Sequence, residues 1–458
     1  MSKVARIAAI TVCVVLAAAV FQACASESGN PDGGSTDGGS HQGRVETRGG
    51  FTVLFLEGTP YEMGFQQGTL MHEQLKAGMI WIKDDPTFKM MLDTCKSWGI
   101  DKIAREMSYP DIVEECRGLV AATKDVGWTL DSCLLLNFGD VVQEYILSGM
   151  PTSSTTTTSF VPRCSQFVTT GAAAKDGRLL HGRLLDWDKI EFILKYPTII
   201  VRKPTGAIPH AYIGFPGNIA PYMGINAEGI VVASDMATPS SVAETGLVGR
   251  SHVQMMAEIL KTSRSIDDVR AFFRQEQHMA TCIVAVSDGK NKDASVWEMT
   301  KLVQAERRLD PSGVIYTTNH FVAPEAVGHD EPVTTADSTK LRFDRLAQLV
   351  PKDAKDWTGK VSSYYGSFDP EKMISVIRDR FDPYTGTESA LSPEVFDNNK
   401  SIATNGNIFS VLFDPAAKMF WVAAGPTLPV PSNTFKGFSL DELLNGESGT
   451  KVNPAEYK

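Results

Sequence analysis

Histidine is scarce, cysteine scarcer, and a basic surplus is missing. The 458 residues hold 8 His and 7 Cys, and 44 Lys+Arg stand against 54 Asp+Glu, a formal charge of −10. Without extra cations the chain cannot neutralise a run of phosphates, so nucleic acid is not an expected partner. No Cys-x-x-Cys pair occurs and the histidines do not cluster at ligand spacing, so neither zinc nor any other cofactor is expected. An apolar run of about 20 residues, enough to cross a bilayer as a helix, is also lacking. What is present is ordinary for a folded protein: 43% hydrophobic and 21% charged residues, which excludes wholesale disorder.

The longest apolar run, Ile7 to Phe21, follows Lys3 and Arg6 and is followed by small residues. That is the form of an export signal, assigned here to residues 1–25. Two processing routes are open. Cleavage after Ala25 would use Ala23-Cys24-Ala25, whereas Cys24 also resembles the lipidated cysteine of a bacterial lipoprotein. Residues 26–50, rich in Gly, Ser and Asp, read as a flexible tether and favour the lipid-anchored route. The expectation is an exported cell-envelope lipoprotein held to a membrane through Cys24, with free secretion the alternative. Cys95, Cys116, Cys133, Cys164 and Cys282 remain, an odd number in an oxidising compartment. One thiol is therefore expected free and reactive, while the pairing of the others stays open.

Residues 51–163 read as a mostly helical region. A β-rich run, Phe51 to Leu56, turns into a helix announced by Thr59, Pro60 and Glu62, a capping box with proline in its favoured place. The region ends in a Ser/Thr-rich connector flanked by Pro151 and Pro162. From Cys164 to Lys458 the texture changes to strands and tight turns. A hairpin spans Ser165 to Trp187, further strands follow, helices are expected over Val253–Lys261, Ile266–Arg274 and Ser338–Leu349, and a last hairpin covers Asn407–Gly425. Helices and antiparallel hairpins in separate blocks indicate an α+β layered fold rather than a doubly wound one.

Cys164 sits at the start of an apolar strand, after the connector and beside Arg163, which is unlike a cysteine buried within a run. The segment CSQFVTTGAAAKDGRLLHGRLLDWD, the opening GTPYEMGFQQG, the stretch GVIYTTNHF and the stretch KLRF occur in an order that resembles the isopenicillin N acyltransferase-like proteins, and more distantly the choloylglycine hydrolases. Both are cysteine-type N-terminal nucleophile hydrolases. The resemblance implies a four-layer αββα fold with antiparallel sheets, and a chain that cuts itself between Arg163 and Cys164 into two fragments that stay associated. The freed α-amino group of Cys164 would then serve as base for its own thiol, with a pKa of about 7.7–8 that suits the task. Asp186 would orient that amino group, Arg183 would stabilise the thiolate, and Asn319 would donate to the developing oxyanion together with a backbone N–H near Asp235 or Met236. Arg342 would pair with Asp186 or bind near the nucleophile. Trp187, Phe215, Tyr222 and Phe321 are candidates for an acyl pocket, with Asp235 at its edge. The substrate would be a small N-acyl compound, cleaved through a thioester on Cys164. Two rivals stay open: an uncut cysteine enzyme using His320 as base, and a surface lipoprotein that binds a ligand without catalysis.

Overall fold

The computed structural model describes residues 43–139, 141–142, 144, 163–187, 190–389, 400–446 and 455–458. The expected signal with Cys24, and the connector 151–162, lie outside the described residues. Strands β1 (Arg44–Arg48) and β2 (Phe51–Gly58) lead into six helices: α1 (Pro60–Leu70), α2 (His72–Asp84), α3 (Pro86–Trp98), α4 (Ile100–Met107), α5 (Pro110–Ala122) and α6 (Leu130–Leu136). The Thr59–Glu62 capping box is present, with Pro60 opening α1. Then come β3 (Ser165–Gly171), β4 (Gly177–Asp186), α7 (Glu191–Lys195), β5 (Thr198–Pro204), β6 (His210–Gly214), β7 (Met223–Asn226), β8 (Ile230–Met236), α8 (His252–Thr262) and α9 (Ile266–Phe273). The remainder is β9 (Cys282–Asp288), β10 (Asp293–Met299), β11 (Gln304–Arg308), β12 (Val314–Thr317), α10 (Ser338–Leu349), α11 (Pro370–Ile377), β13 (Phe381–Asp382), β14 (Thr387–Glu388), β15 (Asn407–Asp414), β16 (Met419–Ala424), β17 (Lys436–Ser439) and α12 (Leu440–Asn445).

Two sheets carry the architecture. One has nine strands in the order β1-β2-β5-β6-β7-β8-β9-β10-β11, the other six in the order β12-β3-β4-β15-β16-β17. Strand alternation sorts the side chains. On β2, Val53 and Phe55 join the core between the sheets, whereas Leu54 and Leu56 turn to the core under α1–α6. Helices α10 and α11 pack on the far side of the six-stranded sheet, against β3, β12, β4 and β15. The result is helix, sheet, sheet, helix: a mixed α+β protein with antiparallel sheets. Parallel β2–β5 is the exception to the expected antiparallel pairing. More than a hundred residues, including seven described helices, separate these two strands, so no hairpin turn dictates their relative direction.

The helices α1 and α5 touch backbone to backbone through glycine. A Cβ placed on Gly64 would stand 1.9 Å from the Glu115 carbonyl oxygen, and one on Gly118 2.0 Å from that of Tyr61. A disulfide joins Cys116 on α5 to Cys133 on α6, with Cα atoms 5.7 Å apart. Cys95, Cys164 and Cys282 are outside any disulfide among the described residues, and all three are buried. The tether expected over 26–50 is cut short at its far end, since Arg44–Arg48 is strand β1 on β2. Its few apolar residues hid it. Backbone pairing does the work, helped by the Arg44 and Arg48 guanidinium groups over the Phe55 ring at 3.7 and 5.4 Å.

Candidate active site

Strand β3 starts one residue after Cys164, and β4 returns beside it with Ser165 opposite Leu184 and Gln166 opposite Arg183. This register carries Cys164 to the end of β4, where its Sγ lies 3.7 Å from the Asp186 carbonyl oxygen. Side chains three apart on a strand face opposite ways. Arg183 accordingly reaches between the sheets to Asp235 on β8, Nη1 to Oδ1 2.8 Å, and donates to the carbonyls of Leu184 and Ser234. Asp186 is the last residue of β4 and receives a hydrogen bond from Asn407 Nδ2 at 2.7 Å. The strand end is what lets both charges bear on one thiol. Burial pushes the Cys164 thiol up to about 11; Arg183 pulls it down, and Asp235 and Asp186 push it further up. Burial also pushes Asp186 up to about 6, against the pull of Arg342 and Asn407.

Arg342, near the start of α10, is wholly buried and spends its N–H groups on this site. Nη1 donates to the Cys164 carbonyl and, at 2.8 Å, to Ser165 Oγ; Nη2 donates to Asn319 Oδ1 at 2.8 Å, and Nε to Ser338 Oγ at 3.1 Å. Its neighbours Lys340 and Arg345 turn elsewhere, to Asp344 and Asp379. Asp186 acts on Arg342 through charge: burial lowers the guanidinium to about 10 and Asp186 and Cys164 raise it. Asn319 follows β12. Its backbone N–H donates to Thr339 Oγ1 at 2.8 Å, and its Nδ2 donates to the Met236 carbonyl at 2.7 Å. Its carboxamide is thus held from both ends, with one of the two Nδ2 hydrogens given to the Met236 carbonyl. His320 bonds Thr339 Oγ1 at 2.8 Å and Thr318 Oγ1 at 3.2 Å through Nδ1, and its ring packs edge-on to Phe343. Burial and Arg342 hold it down at about 4. A neutral imidazole tied to two hydroxyls is poorly placed to deprotonate Cys164.

Two recesses flank the cluster. One is almost wholly apolar and is lined by Trp81, Leu92, Leu135, Trp187, Phe215 and Tyr222 among others. Trp187 directly follows Asp186 and packs edge-on to Tyr222, centroids 5.3 Å apart, tying this cavity to the Cys164 end of β4. The other is half polar and is lined by Asn319, Thr238, Asp330, Glu331, Asp337 and Lys400 among others. Phe321 stands outside both, in the core between β3, β9 and β10. Asp235 serves Arg183 rather than a pocket wall. Asn407, Ser165 and Ser338 were not anticipated. Asn407 and Ser410 are the polar residues near the start of the otherwise apolar, fully buried β15, and that interruption was the available signal.

Residues 187–428, just over half of the chain, match the family described as acyl-coenzyme A:6-aminopenicillanic acid acyl-transferase. The chain belongs to that family. The match begins just after Asp186, so it contains Asn319, Arg342 and Asn407 but not Cys164 or Arg183. An uncharacterized protein of Archaeoglobus fulgidus is 22% identical over 361 residues; the alignment covers 72% of this chain and 58% of that protein. Among solved structures, a Caenorhabditis elegans ortholog of N-acylethanolamine-hydrolyzing acid amidase is similar at 14% identity and a TM-score of 0.37, over 55% of this chain and 93% of that one. Penicillin V acylase from Agrobacterium tumefaciens is similar at 15% identity and a TM-score of 0.34, over 57% and 83%. A conjugated bile acid hydrolase from Clostridium perfringens is similar at 12% and 0.34, over 64% and 96%.

Proposed function

We propose that the protein is an exported, self-cleaving amidohydrolase whose nucleophile is Cys164. The observation that carries this reading is the convergence of Cys164, Arg183, Asp186, Asn319 and Arg342, from four separate segments, at one strand end. In the uncut chain the thiol is protonated and the nitrogen of Cys164 is an amide, so no base stands beside it. Self-cleavage supplies one. The Cys164 sulfur attacks the Arg163 carbonyl carbon, its proton passes to the Cys164 nitrogen as the Arg163–Cys164 C–N bond breaks, and the thioester so formed is hydrolysed by water. Arg163 leaves with a carboxylate, and Cys164 keeps a free thiol and a free α-amino group.

In the substrate reaction the amino group takes the thiol proton, and sulfur attacks the amide carbonyl. The proton then passes to the departing amine as the C–N bond breaks. Water resolves the thioester, giving its proton back through the same amino group and releasing a carboxylic acid. Asn319 is the oxyanion donor, through the Nδ2 hydrogen that the Met236 carbonyl does not take. The apolar recess beside Trp187 receives the acyl group, and the polar recess at Asn319 the amine portion, which favours N-acyl compounds with an apolar acyl part. Hydrolysis is favoured over transfer from acyl-coenzyme A because an exported enzyme meets no coenzyme A. A lipid on Cys24 would hold it at a membrane.

Mass spectrometry of the purified protein tests this. A fragment beginning at Cys164, absent from Cys164→Ala, and turnover of chromogenic acyl amides by the cut form alone are expected. Full activity in material that is wholly uncut would overturn the reading.

A further inference from the structure

Where β15 meets β4, the register slips: Asn407 stands opposite Asp186, but Phe409 stands opposite Leu185. One extra residue, Ile408, is thus inserted. A bulge of this kind re-aims a side chain. Here the residue at the slip is Asn407, fully buried and beside the residue next to the nucleophile. Its Nδ2 donates to Asp186 Oδ1 at 2.7 Å and also meets the carbonyls of Leu185 and Phe409, each at 3.1 Å. Its Oδ1 accepts from Ser410 Oγ at 2.7 Å. The carboxamide therefore has one workable orientation. Flipping it would set Oδ1 against three acceptors; Ser410, by donating to Oδ1, satisfies the carboxamide in the orientation they require.

We propose that Asn407 and Ser410 are positioning residues for the reaction: Ser410 fixes the Asn407 carboxamide, whose N–H in turn orients the Asp186 carboxylate at Cys164. The inference rests on the reading of Asp186 as the residue that orients the Cys164 amino group. The other groups bearing on Asp186 are the cations Arg342 from α10 and Arg183 from its own strand, the carboxylate of Asp235 from β8, the Cys164 thiol, and the Thr404 hydroxyl. Unlike the two arginines, Asn407 is neutral, and it bonds the carboxylate directly at 2.7 Å. It adds direction without adding charge. A second arginine in its place would hold the carboxylate ionised but would compete with the amino group for it.

The test uses full-length protein carrying Asn407→Ala, Ser410→Ala or Ser410→Thr, each checked for folding by thermal unfolding. With the best amide substrate, Asn407→Ala and Ser410→Ala are expected to lower kcat about 100-fold and leave KM within a few-fold. The acid limb of the kcat/KM profile should move up by about one pH unit, because a carboxylate that loses a donor is more readily protonated. Ser410→Thr, which keeps the hydroxyl, should restore most of both. A uniform loss with an unmoved acid limb would make the pair merely structural and overturn the proposal. A second measurement needs no activity. In uncut Cys164→Ala protein, Asn407→Ala should destabilise more at pH 7.5 than at pH 4.5, and the difference should vanish when Asp186→Asn is also present. If that coupling is found but the wild-type protein turns over no amide, the functional reading fails and the Asn407–Asp186 link stands. If the coupling is absent, the positioning proposal fails whatever the activity.

Discussion

The buried ion pair between Arg183 and Asp235 gives the most quantitative handle on this site. Both side chains are fully buried and their nearest atoms lie 2.8 Å apart. At an effective dielectric constant of 20, two unit charges at that distance attract by about 6 kcal/mol. Taking each ion out of water costs several kcal/mol, so the pair nearly cancels against an apolar filling of the same shape. Breaking it is different, since one buried charge is then left alone, at a cost of about 3–5 kcal/mol. Arg183→Met should be the worse of the two single changes. It also strips donors from the Leu184 and Ser234 carbonyls, roughly another 1 kcal/mol each. The assay is urea unfolding in the Cys164→Ala background, which keeps one chain throughout. Asp235→Leu should cost about 3 kcal/mol, Arg183→Met about 5, and the double variant far less than their sum. Additive losses, or single losses below about 1 kcal/mol, would refute the view that this pair is an internally balanced unit. When the double variant is made with Cys164 retained, it should fold yet cleave itself poorly, because the thiol has lost the Arg183 cation.

Arg342→Lys keeps the charge but offers one ammonium to four oxygens, so self-cleavage followed by gel should slow at least about tenfold while the protein still folds. Asp186 and Asp235 are each raised by burial from 3.8 to about 6. The folded state therefore binds more protons than the unfolded one between roughly pH 4 and 6, and unfolding free energy should fall as pH rises through that window; Asp186→Asn should flatten the slope. The Cys116–Cys133 disulfide closes a loop with a sequence separation of 17, so the Cys116→Ala/Cys133→Ala protein should lose about 3 kcal/mol by urea titration. Gly64→Ala sets a methyl into the Glu115 carbonyl on α5 and should lower Tm measurably, whereas Gly99→Ala, with open space around it, should act only through its positive φ.

Local signals carried much of the architecture. The capping box at Thr59, the hairpin after Cys164, the helix over Ser338–Leu349 and the closing hairpin all rest on short-range chemistry, and each lies where its pattern places it. Strand β1 was hidden because its stability comes from pairing with β2 and from arginines on Phe55, neither of which shows as apolar periodicity. The parallel β2–β5 pair was hidden because it joins segments far apart in sequence. At the site, the residues carrying unusual chemistry were legible as residues, but their partners were not. Arg342 sits among cations on a helix and looks solvated, yet it is wholly buried because the Cys164 carbonyl, Ser165, Asn319 and Ser338 surround it. Asn407 depends on a one-residue slip between strands, and no spacing rule foretells such a slip.

The placement of β2 matters once the Arg163–Cys164 bond is imagined open. Residues 52–58 lie in register with 198–204, which belong to the other side of that bond. The described disulfide lies wholly on the upstream side. Severing the bond would thus yield two polypeptides without a described covalent tie, yet sharing one ladder of backbone hydrogen bonds. Neither piece could leave without exposing an unpaired strand edge two strands in from one end of a nine-stranded sheet. An affinity tag on either piece should therefore retrieve both, and loss of the upstream piece would strip the downstream sheet of β1 and β2.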